Sequence, residues 1–402
     1  MKNPIDLVAQ AAAFADRYNM LPPGSTILVA LSGGGDSMAL LSVLEKLAQE
    51  RDLHLHAAHF NHQLRGEESQ RDETFVTEWC EKRNIPLIIG QGDVAQEAKA
   101  QGKGVEETAR AMRYGFLTQA AQDLGADKLA TAHHADDNAE TVLLHLVRGA
   151  GLDGLTGIPP VRGILIRPLL AIPQSDIAAY LEQEGIPHVE DSSNFDLTYA
   201  RNRLRQEVVP VLQELNPAFI STLTANLDHL REDRDLLEGM AQRAIQEARV
   251  TEGRVSIPAS TLAALDHPIA VRAVKLLLAK VEYYQISSVH LDQILALAAS
   301  TSPSASHLPG DLFVWREYDR LVMSPAANMP AAFSLRLITG PGTFPLDNGW
   351  TITVEETLCP DPPEQGEYAW HIAQSTVTYP LILRPRQVGD QLRLPGRRTK
   401  TL

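Results

Sequence analysis

Six residues, Ser32-Gly33-Gly34-Gly35-Asp36-Ser37, separate an apolar run of strand character, Thr26 to Leu31, from a run of helical character, Met38 to Leu47. A chain with this junction is committed to a strand, a glycine turn and a helix start in immediate succession. Glycines let the backbone approach an oxyanion closely, and the free amides of a helix's first turn point at it. Ser32, Asp36 and Ser37 add hydroxyl donors and a carboxylate able to meet a metal ion. No lysine follows, so the Walker A ending is absent. A glycine-rich turn that binds nothing is the competing reading.

The rest of the first half repeats this alternation. Strands are expected at 26–31, 53–59, 86–90 and 128–132, with helices at 37–49, 69–83, 104–124 and 136–147. Such a pattern predicts an α/β fold, a doubly wound and mostly parallel sheet with helices on both faces. Ligands of these sheets sit beyond the carboxyl ends of the strands. Residues 32–37, 59–65 and 133–140 all follow a predicted strand. Further helices are expected at 173–185 and 199–215, and Asn216-Pro217 marks a boundary. We therefore expect a catalytic domain over 1–216, a mainly helical domain over 217–325 and a small strand-rich domain over 326–402. A hairpin is predicted at 311–324, and short strands at 333–338, 350–355 and 376–384.

At 402 residues the chain exceeds a single core. No window approaches eighteen uninterrupted apolar residues, so no membrane span is expected. The first nineteen residues lack the basic start and apolar centre of a signal peptide. Cys80 and Cys359 match no metal or redox spacing, which suits a cytoplasmic protein. The net charge of −14 argues against indiscriminate nucleic-acid binding. Residues 383–402 run against that balance: Arg384, Arg386, Arg393, Arg397, Arg398 and Lys400 face Asp390 alone. A local phosphate contact and a solvated terminus both fit this tail.

Three further segments carry chemistry. His59, His62 and Arg65 follow the second strand and face a nucleotide, a substrate or merely solvent. On the helix from Val105, the residues Glu106, Arg110 and Arg113 share the polar side. Two arginines one turn apart can grip phosphate in planar, bidentate fashion. Spacing alone favours the plainer reading, a solvated face with intrahelical ion pairs. The third segment is the densest: His133, His134, Asp136, Asp137 and Glu140 fall within eight residues after a strand. Asp137 and Glu140 share a helical face, and such a pair is costly unless a cation neutralises it. Magnesium or a substrate ammonium would serve; a zinc site is the rival, although zinc spacing is absent. Arg201, Arg203 and Arg205 offer a phosphate or RNA contact, or a plain amphipathic helix.

Together these strings resemble a known family. Ser32–Ser37 resembles the PP-loop of the N-type ATP pyrophosphatases. The segments 59–65, 106–114, 130–141, 148–157, 167–170 and 191–205 resemble, in order, the bacterial tRNA(Ile)-lysidine synthetases. The resemblance is specific up to about residue 210 and looser beyond. By the family pattern the last domain is expected to be cut short. The resemblance implies a ligase that uses ATP to adenylate the wobble cytidine of a CAU-anticodon isoleucine tRNA. L-Lysine then displaces AMP to form lysidine. It implies that residues 32–37 hold the phosphates, with Asp36 as magnesium ligand. Arg113 and Arg110 would meet phosphate, Asp137 and Glu140 the lysine, and His133 would handle a proton. The basic residues Arg201, Arg203, Arg205, Arg384 and Arg386 are then expected at tRNA. A homodimer is compatible with the sequence but not dictated by it. Rivals are another PP-loop enzyme and a non-catalytic RNA-binding relative. Thiolation enzymes of this type use paired cysteines, and amide-forming members carry or recruit a glutaminase; neither feature is found.

Overall fold

The β1 strand (Thr26–Ala30) is apolar along its length because it is covered on both faces. Ile27 and Val29 point into one cluster with Leu40, Leu44 and Leu47, while Leu28 packs with Leu117, Ala121 and Leu129. A strand buried on both faces is the mark of a parallel sheet with helices on both sides. The structure is a computed structural model. It describes residues 6–63, 66–189, 200–251, 253–300, 305–326, 333–347, 349–357, 372–385, 391–392 and 400–401. Two compact units are present, Met1–Arg234 and Asp235–Leu402.

The first unit opens with α1 (Leu7–Arg17), β1, α2 (Gly35–Arg51), β2 (His54–Asn61), α3 (Glu67–Arg83) and β3 (Leu87–Gln91). It continues through α4 (Val94–Gln101), α5 (Val105–Leu124), β4 (Lys128–Ala130), α6 (Ala135–Val147) and α7 (Leu152–Leu155). Then come β5 (Val161–Arg162), β6 (Leu165–Ile166), α8 (Gln174–Glu184), α9 (Ala200–Arg203), a π-helical turn Leu204–Val208, α10 (Val209–Leu215) and α11 (Phe219–Ala244). The sheet order is β3-β2-β1-β4-β6-β5. All pairs are parallel except β5 with β6. Direction of strand order reverses at β1 and β4, and the crevice beyond their carboxyl ends is where such sheets bind ligands.

The four predicted strands and the helices between them are present within one or two residues, as is the doubly wound class. The short α4 and the two-residue strands β5 and β6 were not foreseen. Beyond Asn216-Pro217 the chain does not leave the first unit at once. Arg231 on α11 is buried and donates to Thr156 O at 3.2 Å and Ile158 O at 3.0 Å. It also meets Asp228, which takes Arg17 and Tyr18 as well. The Asn-Pro pair marks the break between α10 and α11.

Arg231 is one of several clamps on the glycine-rich segment 148–160. Buried Arg167 donates to Pro159 O at 2.6 Å, and Asn138 Oδ1 accepts from Ile158 N at 2.7 Å. Gly157 has φ +70°, and a Cβ there would lie 2.2 Å from Asn138 Oδ1. We expect Gly157→Ala to lose about 1–3 kcal/mol through the left-handed backbone alone, more once Asn138 is displaced. Urea unfolding would show a lower midpoint at unchanged slope; an unchanged midpoint would contradict this packing.

In the second unit, β7 (Arg249–Thr251) and β8 (Arg254–Pro258) precede α12 (Ala259–Ala263), α13 (His267–Ala279) and α14 (Ser288–Ala299). Strands β9 (Ala305–Leu308), β10 (Leu312–Glu317) and β11 (Arg320–Pro325) complete an antiparallel sheet of order β7-β8-β11-β10-β9. Its core joins Val255, Ile257, Val314, Leu321 and Met323 to Leu277, Leu278 and Ile294. The helices expected over 217–300 are there, with an unforeseen hairpin, β7–β8, between them. The predicted hairpin at 311–324 is β10–β11. Further along, β12 (Arg336–Ile338) pairs with β15 (Leu381–Leu383), and β13 (Gly342–Pro345) with β14 (Thr351–Val354). Among the described residues no helix is long and apolar enough to cross a membrane.

Candidate active site

The turn after β1 is held by its own side chains. Ser37 Oγ donates to Gly34 O at 2.9 Å and accepts from Ser32 N at 3.2 Å; Ser32 Oγ lies 3.1 Å from Ser37 Oγ. Gly34 caps α2 without a side-chain bond, so the first-turn amides of Gly35, Asp36 and Ser37 are left to an outside acceptor. Gly33 needs its glycine: φ is +90°, and a Cβ would meet Val76 at 3.2 Å. The loop also rests on the segment before residue 190, where Val189 N donates to Gly33 O at 2.9 Å.

The loop opens on a cleft of about 1050 Å³. Of the expected residues, Ser32, Gly34, Gly35, Asp36, Ser37, Arg110, Arg113, His133, Asp137 and Arg201 line it. His59 and His62 do too; His59 Nδ1 is bonded to Leu31 O at 2.9 Å and serves the backbone. Gly33, Glu140, Arg203 and Arg205 are outside the lining, as is Arg384 in the second unit, which donates to Pro385 O. Arg65 and Arg386 lie outside the described residues.

The acid pair has internal cations. Buried Glu140 accepts from Arg201 Nε at 2.7 Å and Arg205 Nε at 2.6 Å. Asp137 Oδ1 accepts from the Nη2 atoms of the same arginines at 3.0 and 3.2 Å. Thus Arg201 and Arg205, two of the five arginines expected at tRNA, turn inward, because α9 and the π turn set them one turn apart facing α6. Arg203 points elsewhere and pairs with Glu207 on the surface. The neutralising charge argued from sequence therefore comes, in this cluster, from the chain itself.

Arg110 and Arg113 behave in the opposite way. Their guanidinium groups flank the Tyr114 ring at 5.0 and 5.6 Å. Among the described residues neither has a carboxylate partner, and Glu106 does not pair with Arg110. Burial, eased by Tyr114 and aggravated by Arg110, pushes Arg113 below the usual arginine range. Spacing favoured intrahelical ion pairs; the structure instead gives two unneutralised cations on a cleft wall, an arrangement that attracts anions.

The two histidines divide the work. Burial pushes His133 down to about 3; Asp137 opposes this, and Arg167, Arg201 and Arg110 reinforce it. His133 is neutral at pH 7, with Nδ1 tied to Thr131 Oγ1 at 3.0 Å. His134, named in the same segment, was given no role from sequence. Burial would lower it, but hydrogen bonds to Asp136 and Asp36 and the charge of Asp137 lift it to about 10. Its Nε2 stands 3.6 Å from Asp36 and 3.5 Å from Asp137, linking the loop to the acid cluster. As the N-cap of α6 its Nδ1 also takes the Asp137 amide at 3.4 Å, a role the imidazolium cannot fill. With three carboxylates within 3.6 Å the charged form prevails, and the long amide contact is the one given up. Asp137 Oδ2 still accepts from His134 N at 3.1 Å. Among the described residues no group of three or more His, Cys, Asp or Glu is placed to hold a metal ion, so the zinc alternative finds no ligand set. Buried Cys80 is an inert thiol, its pKa raised by burial to about 11; Cys359 lies outside the described residues.

Comparison with known proteins agrees with this geometry. Residues 8–212 match the PP-loop domain family. The chain is similar to the tRNA(Ile)-lysidine synthase of Geobacter sulfurreducens, with 36% identity over 97% of this chain and 84% of the relative. Similarity to the enzyme of the same name from Geobacillus kaustophilus is 34% over 97% and 86%. For Bacillus cereus the figures are 32% over 95% and 82%. By the matched PP-loop domain, and by identity sustained along these relatives, the chain belongs to the tRNA(Ile)-lysidine synthase family.

Proposed function

We propose that this protein ligates L-lysine to carbon 2 of the wobble cytidine of a CAU-anticodon isoleucine tRNA, using ATP. The observation that carries the proposal is the cleft itself. The phosphate loop, two arginines without carboxylate partners and the Asp137 carboxylate all line it. The loop amides and arginines suit an anionic nucleotide, and Asp137 offers an acceptor to an ammonium.

In the first half-reaction the cytidine carbonyl oxygen attacks the α-phosphorus of ATP. The new O–P bond replaces the bond to the leaving pyrophosphate, which takes the electron pair. The loop amides, Ser32, Ser37 and the Arg110–Arg113 pair would bind and orient phosphate oxygens. Asp36, in the first turn of α2 and open to the cleft, is a hard oxygen donor of the kind magnesium takes alongside phosphates and waters. When bound, magnesium would supply charge neutralisation for the phosphates. In the second half-reaction the lysine ε-nitrogen attacks carbon 2, and AMP leaves with the electron pair of the C–O bond. The amine must first lose a proton from a group of reference pKa ~10.4. Asp137 would hold the ammonium and receive that proton as the amine attacks; His133, made a weak base by burial, would accept a hydrogen bond from the amine rather than its proton. Glu140 acts from behind, fixing Arg201 and Arg205. We propose the catalytic domain at 1–216, with 217–325 and 326–402 serving tRNA. Pyrophosphate release that requires a CAU tRNA transcript, and AMP release that requires both the transcript and lysine, would support this reading; AMP release with lysine and no tRNA would contradict it.

An acidic protein must meet tRNA through local basic patches. Arg203, Arg384 and Arg386 are the proposed phosphate contacts. Each lost contact flattens the salt dependence of tRNA binding by ~0.7–0.9 in logarithmic slope. The Arg384→Ala, Arg386→Ala double variant is therefore expected to bind tRNA more weakly, with a shallower slope and unchanged ATP affinity. An unaltered slope would remove both from the interface.

A further inference from the structure

The ligase reading asks Asp137 to receive a lysine ammonium, yet both oxygens of that carboxylate already have donors. Its Oδ1 accepts from Arg201 Nη2 at 3.0 Å and from Arg205 Nη2 at 3.2 Å. Its Oδ2 accepts from His134 N at 3.1 Å and lies 3.5 Å from His134 Nε2. An ionised carboxylate offers about four lone-pair directions, and these contacts fill them. To take the ammonium, Asp137 must give up a partner.

The partners are not held equally. His134 is buried and fixed as the N-cap of α6. Arg205 grips Glu140 through Nε at 2.6 Å and Nη2 at 3.3 Å, and it stands outside the cleft lining. Arg201 differs on each point. It lines the cleft, and it meets Glu140 through Nε alone, at 2.7 Å. That bond can serve as a pivot, with Nη2 leaving Asp137 and its carbonyl oxygen while Nε stays on Glu140. A guanidinium that loses a charged acceptor needs another anion in exchange. Arg201 shares its cleft with the phosphate loop, Arg110 and Arg113, so a nucleotide phosphate bound there would be that anion.

We propose that Arg201 is a latch on Asp137: a nucleotide phosphate in the cleft draws its guanidinium away, and Asp137 is then open to the lysine ammonium. Arg201 is a positioning residue that acts through Asp137. It sets the order of the half-reactions, nucleotide first and amine second. The amine is lysine only by the ligase reading, on which this inference rests.

The test is the dissociation constant of radiolabelled L-lysine with and without α,β-methylene ATP, which resists cleavage. The wild-type protein is expected to bind lysine ~10-fold more tightly with the analogue, within the usual range of coupling between sites. Lysine must tighten the analogue by the same factor. Arg201→Met keeps the length of the stem and removes the guanidinium. It is expected to bind lysine ~10-fold more tightly than wild type without the analogue, and to gain no more than about twofold on adding it. Arg201→Gln, which keeps an amide donor for Glu140, should behave alike and decides if Arg201→Met fails to fold. A brace with no latch function predicts the opposite sign, weaker lysine binding with and without nucleotide. Mere removal of a nearby charge predicts tighter lysine but undiminished coupling. Either result, or a wild-type protein without coupling, would overturn the latch. Lysine transfer to a CAU transcript is measured alongside on the wild-type protein. Transfer without coupling removes the latch and leaves the ligase reading; coupled lysine binding without transfer does the reverse. No lysine binding in any state overturns both.

Discussion

Asp36→Ala is expected to fold normally and to lose tRNA-dependent ATP–pyrophosphate exchange by ~100-fold or more, the usual cost of removing one positioned electrostatic group. Folding should survive because the Asp36 side chain is 41% exposed and alanine is a good helix former in the first turn of α2. Its nearest charged partner, His134, keeps Asp136 and Asp137. The measurement is exchange at saturating tRNA, beside a thermal melt. Near-normal exchange by a folded Asp36→Ala protein would take this residue out of the nucleotide site.

Glu140→Gln is expected to act mainly on stability, and Asp137→Asn mainly on lysine. Glu140 is 1% exposed and takes the Nε–H of both arginines. Glutamine keeps the shape, but its amide nitrogen would face an arginine donor with another donor. Breaking a fully buried ion pair costs ~3–5 kcal/mol. Arg201 and Arg205 keep 31% and 38% of their side chains exposed, so solvent recovers part of that. We expect about 2–3 kcal/mol by urea unfolding. Asp137 reaches the cleft, and its loss should raise the lysine KM by ~10-fold while exchange persists. If Glu140→Gln melts as wild type, the cluster is not the brace argued here. If Asp137→Asn loses exchange at unchanged lysine KM, that acid serves the nucleotide instead.

The parallel sheet was legible because its strands are buried on both faces and separated by long helical periods. β5 and β6 were not: two residues show no alternation, and they exist only through pairing with β4 and each other. The same limit hid β7–β8, where Val255 and Ile257 supply only two inward points within a helical stretch. At the site, spacing placed Asp137 with Glu140 on one helical face and Arg201 with Arg205 on another. It held no sign that the two faces meet across more than sixty residues of chain. Hence the acids were expected to await a ligand, and the arginines to await RNA. For Arg110 and Arg113 the error of spacing ran the other way, since ion pairs common on helices are not formed there. His133 and His134 are adjacent and chemically identical in sequence. Only the turn from β4 into α6 sends one toward Thr131 and the other among three carboxylates.

The central claim is tested most directly by incubating the protein with ATP, radiolabelled L-lysine and a CAU-anticodon isoleucine tRNA transcript, then digesting the tRNA to nucleosides. The account predicts one lysine per tRNA, carried on the wobble cytidine, with one AMP released per lysine and no label when ATP is withheld. ATP cleavage without label in the tRNA, or label at any other nucleotide, would contradict it.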